Sequence, residues 1–278
     1  MTSLLKREDF EILIATKNKS SLAFLEAMFP FEHFSTFNVL IINQSRDNVL
    51  VSDFEKVRVI NVDEKGLSKS RNLAIKNASK EICLIADDDV VYLPNFHKEI
   101  IKAFNQNREA SIITFNHQRI GKEFPQNISR KVYSHSKKTI ENVCSIEIAF
   151  KLKDIEASRV CFDENFGLGS YFETAEEYLF LCDAIKARIR AFFYPAIIVS
   201  HPLITSGDDQ GGERILFARG ALFCKTKGDL AYVWLLKYVF FLIRYDYIGW
   251  RQCVKKYKTG LSGIRKYKEL VNEDIDNY

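Results

Sequence analysis

From Glu11 onward the chain alternates between unbroken apolar runs and stretches whose apolar positions recur every three or four residues. Glu11-Ile12-Leu13-Ile14-Ala15-Thr16 reads as a buried strand. So do Asn38 to Ile42, Val57 to Ile60, Ile82 to Ala86 and Ser111 to Phe115. Helical patterns fall between them. Ser20 or Ser21 can cap a helix carrying Leu22, Leu25, Met28 and Phe29 on one face. Ser68 can cap a second with Leu73, Ile75 and Ala78, and Pro94 suits the first turn of a third with Phe96, Ile100, Ile101 and Phe104. This alternation predicts right-handed crossovers and an α/β fold with a mostly parallel, doubly wound sheet. Ligands of such sheets bind beyond the carboxyl ends of the strands. Thr16, Asn43, Asn61 and Asp87 all fall at those ends.

The middle of the chain is less regular. His117 to Lys138 is polar and basic and predicts a long loop, and Cys144 to Lys151 a further strand. Asp163 to Phe172, with Gly167 and Gly169, reads as a mobile loop. Tyr178, Leu181, Cys182, Ile185 and Ile189 share one face of a helix, and Ala191 to Val199 forms a strand closing at Ser200-His201-Pro202.

Composition adds compartment and charge. At 278 residues and 47% apolar content, the chain can fill one large domain, or one domain with an appendage. Residues 214–268 hold 13 Lys and Arg against 2 Asp and Glu, so a mildly acidic body carries a strongly basic C-terminal segment. The six cysteines are scattered without metal-type C-x-x-C spacing, which predicts reduced thiols and a cytosolic protein. The N-terminus lacks the apolar stretch of a signal peptide. The longest candidate span, Leu230 to Ile243, is 14 residues long and interrupted by Lys237, short of the roughly 18 needed to cross a bilayer.

The candidate chemistry is concentrated in Asp87-Asp88-Asp89, directly after the Ile82 to Ala86 run. Carboxylates gathered at one sheet edge repel unless something positive sits among them. Oxygen ligands favour a hard cation, Mg or Mn, and so a metal-dependent enzyme that handles phosphate. A solvated turn is the alternative.

Four pieces stand in order along the chain: Ile12 to Asn18, Gly66 to Asn72, Ile85 to Asp89, and Ala175-Glu176-Glu177 with His201. Together they resemble the family 2 glycosyltransferases, inverting enzymes of the GT-A fold that use nucleotide-diphosphate sugars. The resemblance covers roughly residues 10–206. It implies a Rossmann-like, mostly parallel sheet flanked by helices in residues 1–205, with a helical C-terminal segment in 206–278. By the same resemblance Asp87 and Asp88 face the donor, and Asp89 of the D-x-D pattern holds the metal, with His201 near the diphosphate as a further ligand. Thr16, Asn18, Asn43, Lys65 and Arg71 line the donor pocket, and Glu177 takes the place of the catalytic base. Two departures stand out. The family's acidic turn after the second strand is Asn43-Gln44-Ser45 here, and its Glu-Asp pair is Glu176-Glu177.

Some of these residues have plainer readings. Thr174-Ala175-Glu176-Glu177 is a T-x-x-E pattern, so Glu177 could serve only as a capping partner of Thr174. Arg71 could pair with the acidic cluster rather than a donor phosphate. His201 could be structural, and Lys65 a loop charge.

The C-terminal segment interleaves Trp234, Trp250 and several tyrosines and phenylalanines with Lys and Arg. That mixture suits a peripheral membrane contact through residues 214–268, against the alternative of a helical subdomain with a solvated basic face. No nucleic-acid module accompanies the charge. The expectation is a cytoplasmic glycosyltransferase at the inner face of the cell membrane. Its donor would be a nucleotide-diphosphate sugar and its acceptor a glycan or lipid-linked glycan, as in bacterial capsule or O-antigen assembly. A nucleotidyltransferase and an inactive sugar-nucleotide-binding scaffold are the alternatives. Thr16 to Ser20 lacks the glycine-rich loop the first of these would bring.

Overall fold

The computed structural model describes residues 4–119, 129–201 and 209–276. They form two compact units: Met1–Asp163 with Glu177–Leu203, and Glu164–Glu176 with Ile204–Tyr278. The boundary expected at 205/206 lies outside the described residues, as does Pro202.

In the first unit the apolar runs become β1 (Phe10–Lys17), β2 (Asn38–Gln44), β3 (Val57–Val62) and β4 (Ile82–Asp87). They lie side by side as β3-β2-β1-β4, all parallel. Every residue of β1 from Phe10 to Thr16 is buried, as expected of a strand covered on both faces. Ile12, Ile14, Ile41 and Leu84 face one layer of the core, and Leu13, Leu40, Ile42 and Ile85 the other. The helices are α1 (Ala23–Met28), α2 (Leu67–Asn77), α3 (Phe96–Gln106), α4 (Leu152–Ser158) and α5 (Glu176–Lys186). The far side of the sheet is mixed. β8 (Ile148–Lys151) runs antiparallel between β4 and β6 (Ile112–Arg119). β6 pairs in parallel with β9 (Ala191–His201), whose other edge takes the short antiparallel β5 (Val91–Tyr92) and β7 (Tyr133–Ser134). Two antiparallel steps restore direction, so β6 and β4 end at the same edge.

Several helix starts differ from the sequence expectation. Helix α2 begins at Leu67 behind Gly66, whose φ of 118° is readily available only to glycine, and Ser68 is buried inside the helix instead of capping it. Helix α1 follows Leu22 without a serine cap, and α3 follows Asn95 at φ 64°, beyond Pro94. The His117 to Lys138 loop is shorter than expected, because β6 extends to Arg119 and Tyr133–Ser134 is a strand; residues 120–128 lie outside the described ones.

The second unit consists of α6 (Glu213–Lys227), α7 (Ala231–Arg244), α8 (Cys253–Asp276) and the 164–176 loop. Helices α6 and α8 meet through glycine. A Cβ on Gly220 would lie 2.0 Å from the Gly260 carbonyl oxygen, and one on Gly263 1.9 Å from that of Phe217. The Asp163 to Phe172 stretch, expected to be a mobile loop, is anchored within the 164–176 segment. Phe166 and Phe172 are fully buried and pack against Tyr267, Phe172 also against Phe217, and Arg214 Nη1 donates to the Glu173 carbonyl.

Candidate active site

Parallel registry sets the edge. Thr16 lies opposite Asn43, and Ala15 opposite Asp87, so the ends of β1, β2 and β4 converge. Asp87 closes β4 and the next two aspartates occupy the following turn. Each of the three is held differently. The Asp87 carboxylate accepts from Arg71 Nη2 at 2.9 Å, and the same nitrogen donates to Ser145 Oγ at 2.8 Å. Asp88 Oδ2 accepts from Thr16 Oγ1 at 2.5 Å and from Lys19 Nζ at 2.9 Å. The Asp89 side chain, 57% exposed, has His201 Nε2 at 3.8 Å. Partial burial is the largest influence on the Asp89 carboxyl and raises it above the usual range; His201 opposes that rise, and Asp87 and Asp88 add to it.

Arg71 is 1% exposed, with its guanidinium 5.4 Å from the Phe162 ring centre. Of its two readings, the geometry is the pairing with the acidic cluster. Asn43 is fully buried and commits its amide to protein: Nδ2 donates to Lys19 O, Asn48 O and Asn61 Oδ1, and Oδ1 accepts from Lys19 N. It shapes the β1 and β2 ends rather than facing open space. Asn18 adopts φ 56°, and its N–H donates to Gln44 O. Gln44 Nε2 donates to the Gly66 carbonyl, tying the substituted turn to the start of α2. Lys65 is exposed on the loop before Gly66.

A second cluster, not anticipated from sequence, lies on the β6–β8 side of this edge. Glu147 is buried; its Oε1 accepts from His117 N at 3.1 Å and His117 Nδ1 at 2.8 Å, and its Oε2 accepts from Cys144 N at 2.9 Å. The His117 and His201 rings meet edge to face at 6.3 Å. Burial drives the Cys144 thiol far above its ordinary value, and the charges of Glu147, Glu177 and Asp87 add to it while Arg119 opposes. Cys144 therefore feels both Asp87 and Glu177, residues ninety positions apart that the fold brings to one region.

Two groups have metal-like spacing. Ligand atoms of His117, Cys144 and Glu147 lie within 4.8 Å of one another. They do not suit an ion, because both Glu147 oxygens already accept N–H groups and His117 Nδ1 is spent on one of them. Asp89 Oδ1 and His201 Nε2 do suit one. Two donors sharing an ion at about 2.1 Å lie no more than about 4.2 Å apart; the carboxylate suits Mn or Mg, and the imidazole tilts the pair toward Mn.

The start of α5 bears on Glu177. Ala175 has φ 70°, outside the helical region, so the helix begins at Glu176 and Thr174 cannot be its N-cap. The T-x-x-E box does not form. Glu177 is half-buried in the first turn, and Glu176 beside it is buried. All of these residues except Glu176 and the loop before it belong to the first unit.

The family model described as Glycosyl transferase family 2 matches residues 12–155, more than half of the chain. No curated protein sequence matches it. Among solved structures, S. aureus TarS 1-349 superposes with a TM-score of 0.51 at 15% identity, over 97% of this chain and 92% of that one. TarS 1-349 in complex with UDP-GlcNAc gives 0.55 at 15% identity over 84% and 72%, and in complex with UDP 0.50 at 16% over the same shares. At such identity the likeness is one of fold, and that fold is GT-A. With the strand order, the carboxylate edge and the family match in agreement, the chain belongs to glycosyl transferase family 2 and is a glycosyltransferase.

Proposed function

We propose that the protein is an inverting glycosyltransferase that moves a sugar from a UDP-sugar to a hydroxyl of a glycan or lipid-linked glycan, in assembly of a bacterial surface polysaccharide. The observation that carries the reading is the division of roles within the aspartate run. Asp87 and Asp88 are tied to Arg71, Thr16 and Lys19, and Asp89 is left exposed opposite His201. The crystal structures of TarS with UDP-GlcNAc and UDP support a uridine donor.

Asp89 and His201 would hold a divalent ion, Mn or Mg, which when bound neutralises charge on the diphosphate. Asp87, fixed by Arg71, accepts from the nucleoside, with Thr16, Asn18 and Lys65 bordering the pocket and Asn43 fixing its floor. Glu177 takes the proton of the acceptor hydroxyl as that oxygen attacks the anomeric carbon. Attack comes from the face opposite the departing diphosphate, so the configuration inverts.

The acceptor class rests on the second unit. Helix α7 buries Ala231, Leu235, Val239 and Leu242, while Val233, Leu236 and Phe240 are exposed. Lys227 and Lys237 lie over the Trp234 ring at 4.6 and 5.0 Å. An apolar face bordered by cations suits the anionic surface of a membrane's inner leaflet. No helix among the described residues is long and apolar enough to cross a membrane.

A thermal-shift panel of UDP-GlcNAc, UDP-glucose and UDP-galactose, with and without Mn, tests the donor. Metal-dependent stabilisation by one of them is expected. No stabilisation by any would remove the UDP-sugar reading. Binding without turnover would favour an inactive scaffold.

A further inference from the structure

We propose that His117 is a sugar-reading residue: its Nε2 accepts a hydrogen bond from a hydroxyl of the transferred sugar, in a tautomer imposed by Glu147. The proposal rests on the UDP-sugar reading above and adds to it a residue that no motif marks.

Glu147 is buried and accepts from the His117 ring, from the His117 backbone and from the Cys144 backbone. A carboxylate can only accept, so Nδ1 carries the hydrogen, and in the tautomer this selects the lone pair is at Nε2. Nε2 has no hydrogen-bond partner among the described residues, and the side chain is 21% exposed. The ring is held from both ends, since its backbone N–H is bonded to the same carboxylate that holds Nδ1. An acceptor fixed in this way and left open is a group built for a donor that arrives with a ligand.

Its position indicates which donor. His117 lies near the end of β6, at the edge where β4 ends, and its ring meets His201, the neighbour of Asp89. On the other side Glu147 leads to Cys144, which feels Glu177. The part of a UDP-sugar that lies between the diphosphate end and the base is the sugar, and its outward groups are hydroxyls.

The test compares wild type with His117→Phe, His117→Gln and Glu147→Gln. The probes are UDP and whichever of the three UDP-hexoses stabilises wild type most. His117→Phe should weaken the UDP-hexose by about 5- to 50-fold and leave UDP within about twofold, because one hydrogen bond to the sugar is lost. His117→Gln, whose amide oxygen reaches near the Nε2 position, should recover part of the loss. Glu147→Gln sets an amide NH₂ against a backbone N–H, so His117→Phe carries the test if that variant does not fold. Imidazole 15N shifts of wild type, assigned by difference from His117→Phe, should show Nδ1–H. Equal affinity of wild type and His117→Phe for the UDP-hexose overturns the proposal. So does equal weakening of UDP, which would put His117 on the nucleotide, or an Nε2–H tautomer. A deficit seen only on adding acceptor also overturns it. If wild type binds no UDP-hexose, the donor reading fails and this assignment with it; normal wild-type binding with an unaffected His117→Phe defeats this assignment alone.

Discussion

Replacing Arg71 by Met tests the strut that joins α2 to the carboxylate edge. Methionine keeps much of the stem's volume and removes the guanidinium. The bonds at 2.9 Å to Asp87 and 2.8 Å to Ser145 are among those that disappear. A hydrogen bond to a charged group contributes about 1.5–3 kcal/mol, and removing one partner of a fully buried ion pair costs about 3–5 kcal/mol. Asp87 is not fully buried: its side chain is 28% exposed, so water takes over part of the lost interaction. The expected loss is therefore about 2–3 kcal/mol. In a chain of this size that lowers Tm by about 4–12 °C, at about 2–4 °C per kcal/mol. Thermal and urea unfolding measure it. A cycle with Asp87→Asn should give a coupling of about 1–2 kcal/mol, because each single variant leaves the other member of the pair unmatched. Both variants should also weaken donor binding, since Arg71→Met frees the Asp87 carboxylate from its fixed orientation and Asp87→Asn removes its charge. A loss below about 0.5 kcal/mol, or no coupling in the cycle, would show that the pair does not hold the edge together.

Three further outcomes follow from the packing and the charges. Gly263→Ala drives a Cβ against the Phe217 carbonyl at 1.9 Å, so α6 and α8 must separate, at a cost of about 1–3 kcal/mol; unchanged urea unfolding would contradict the close crossing. Burial lowers His97 and His135 each to about 4 from about 6.5, so the unfolded chain takes up their protons first as the pH falls. Their contribution is intact above about pH 6.5 and declines toward about pH 4, on the order of 2 kcal/mol per ring, and His97→Phe should flatten the wild-type fall in Tm across that window; parallel curves would contradict it. Leu236→Glu with Phe240→Glu on the outward face of α7 should cut recovery with anionic vesicles by more than about tenfold in flotation, whereas equal recovery would defeat the membrane surface.

Strand positions were legible where both faces are buried, as in β1, β2 and β4, which writes each of these strands as an unbroken apolar run; β3, at the sheet edge, is only partly buried. The convergence of Thr16, Asn43 and Asp87 was legible for the same reason, since parallel strands place their carboxyl ends together. Helix starts were not. Gly66, Asn95 and Ala175 precede α2, α3 and α5 at positive φ, and backbone geometry of that kind overrode the serine, proline and threonine signals. Arg71 as a partner of the acidic cluster was one of the readings open in the sequence, whereas the contacts around it were illegible, because Arg71–Ser145 and His117–Glu147 join residues 74 and 30 apart through the antiparallel insertion of β8. A hint existed in Glu147, three residues after Cys144, whose backbone N–H it accepts. The 164–176 loop misled through its glycines: Gly167 and Gly169 do turn the chain at positive φ, yet the phenylalanines around them anchor it.

The central claim is transfer with Glu177 as the base, and the most direct measurement compares wild type with Glu177→Gln under saturating UDP-sugar and acceptor. Glutamine preserves shape and removes the proton acceptor. The account predicts an unchanged Tm, donor binding within about twofold, and transfer reduced by about 10²- to 10⁴-fold. A Glu177→Gln protein that folds, binds donor and transfers sugar at near the wild-type rate would contradict it, and would turn attention to Glu176.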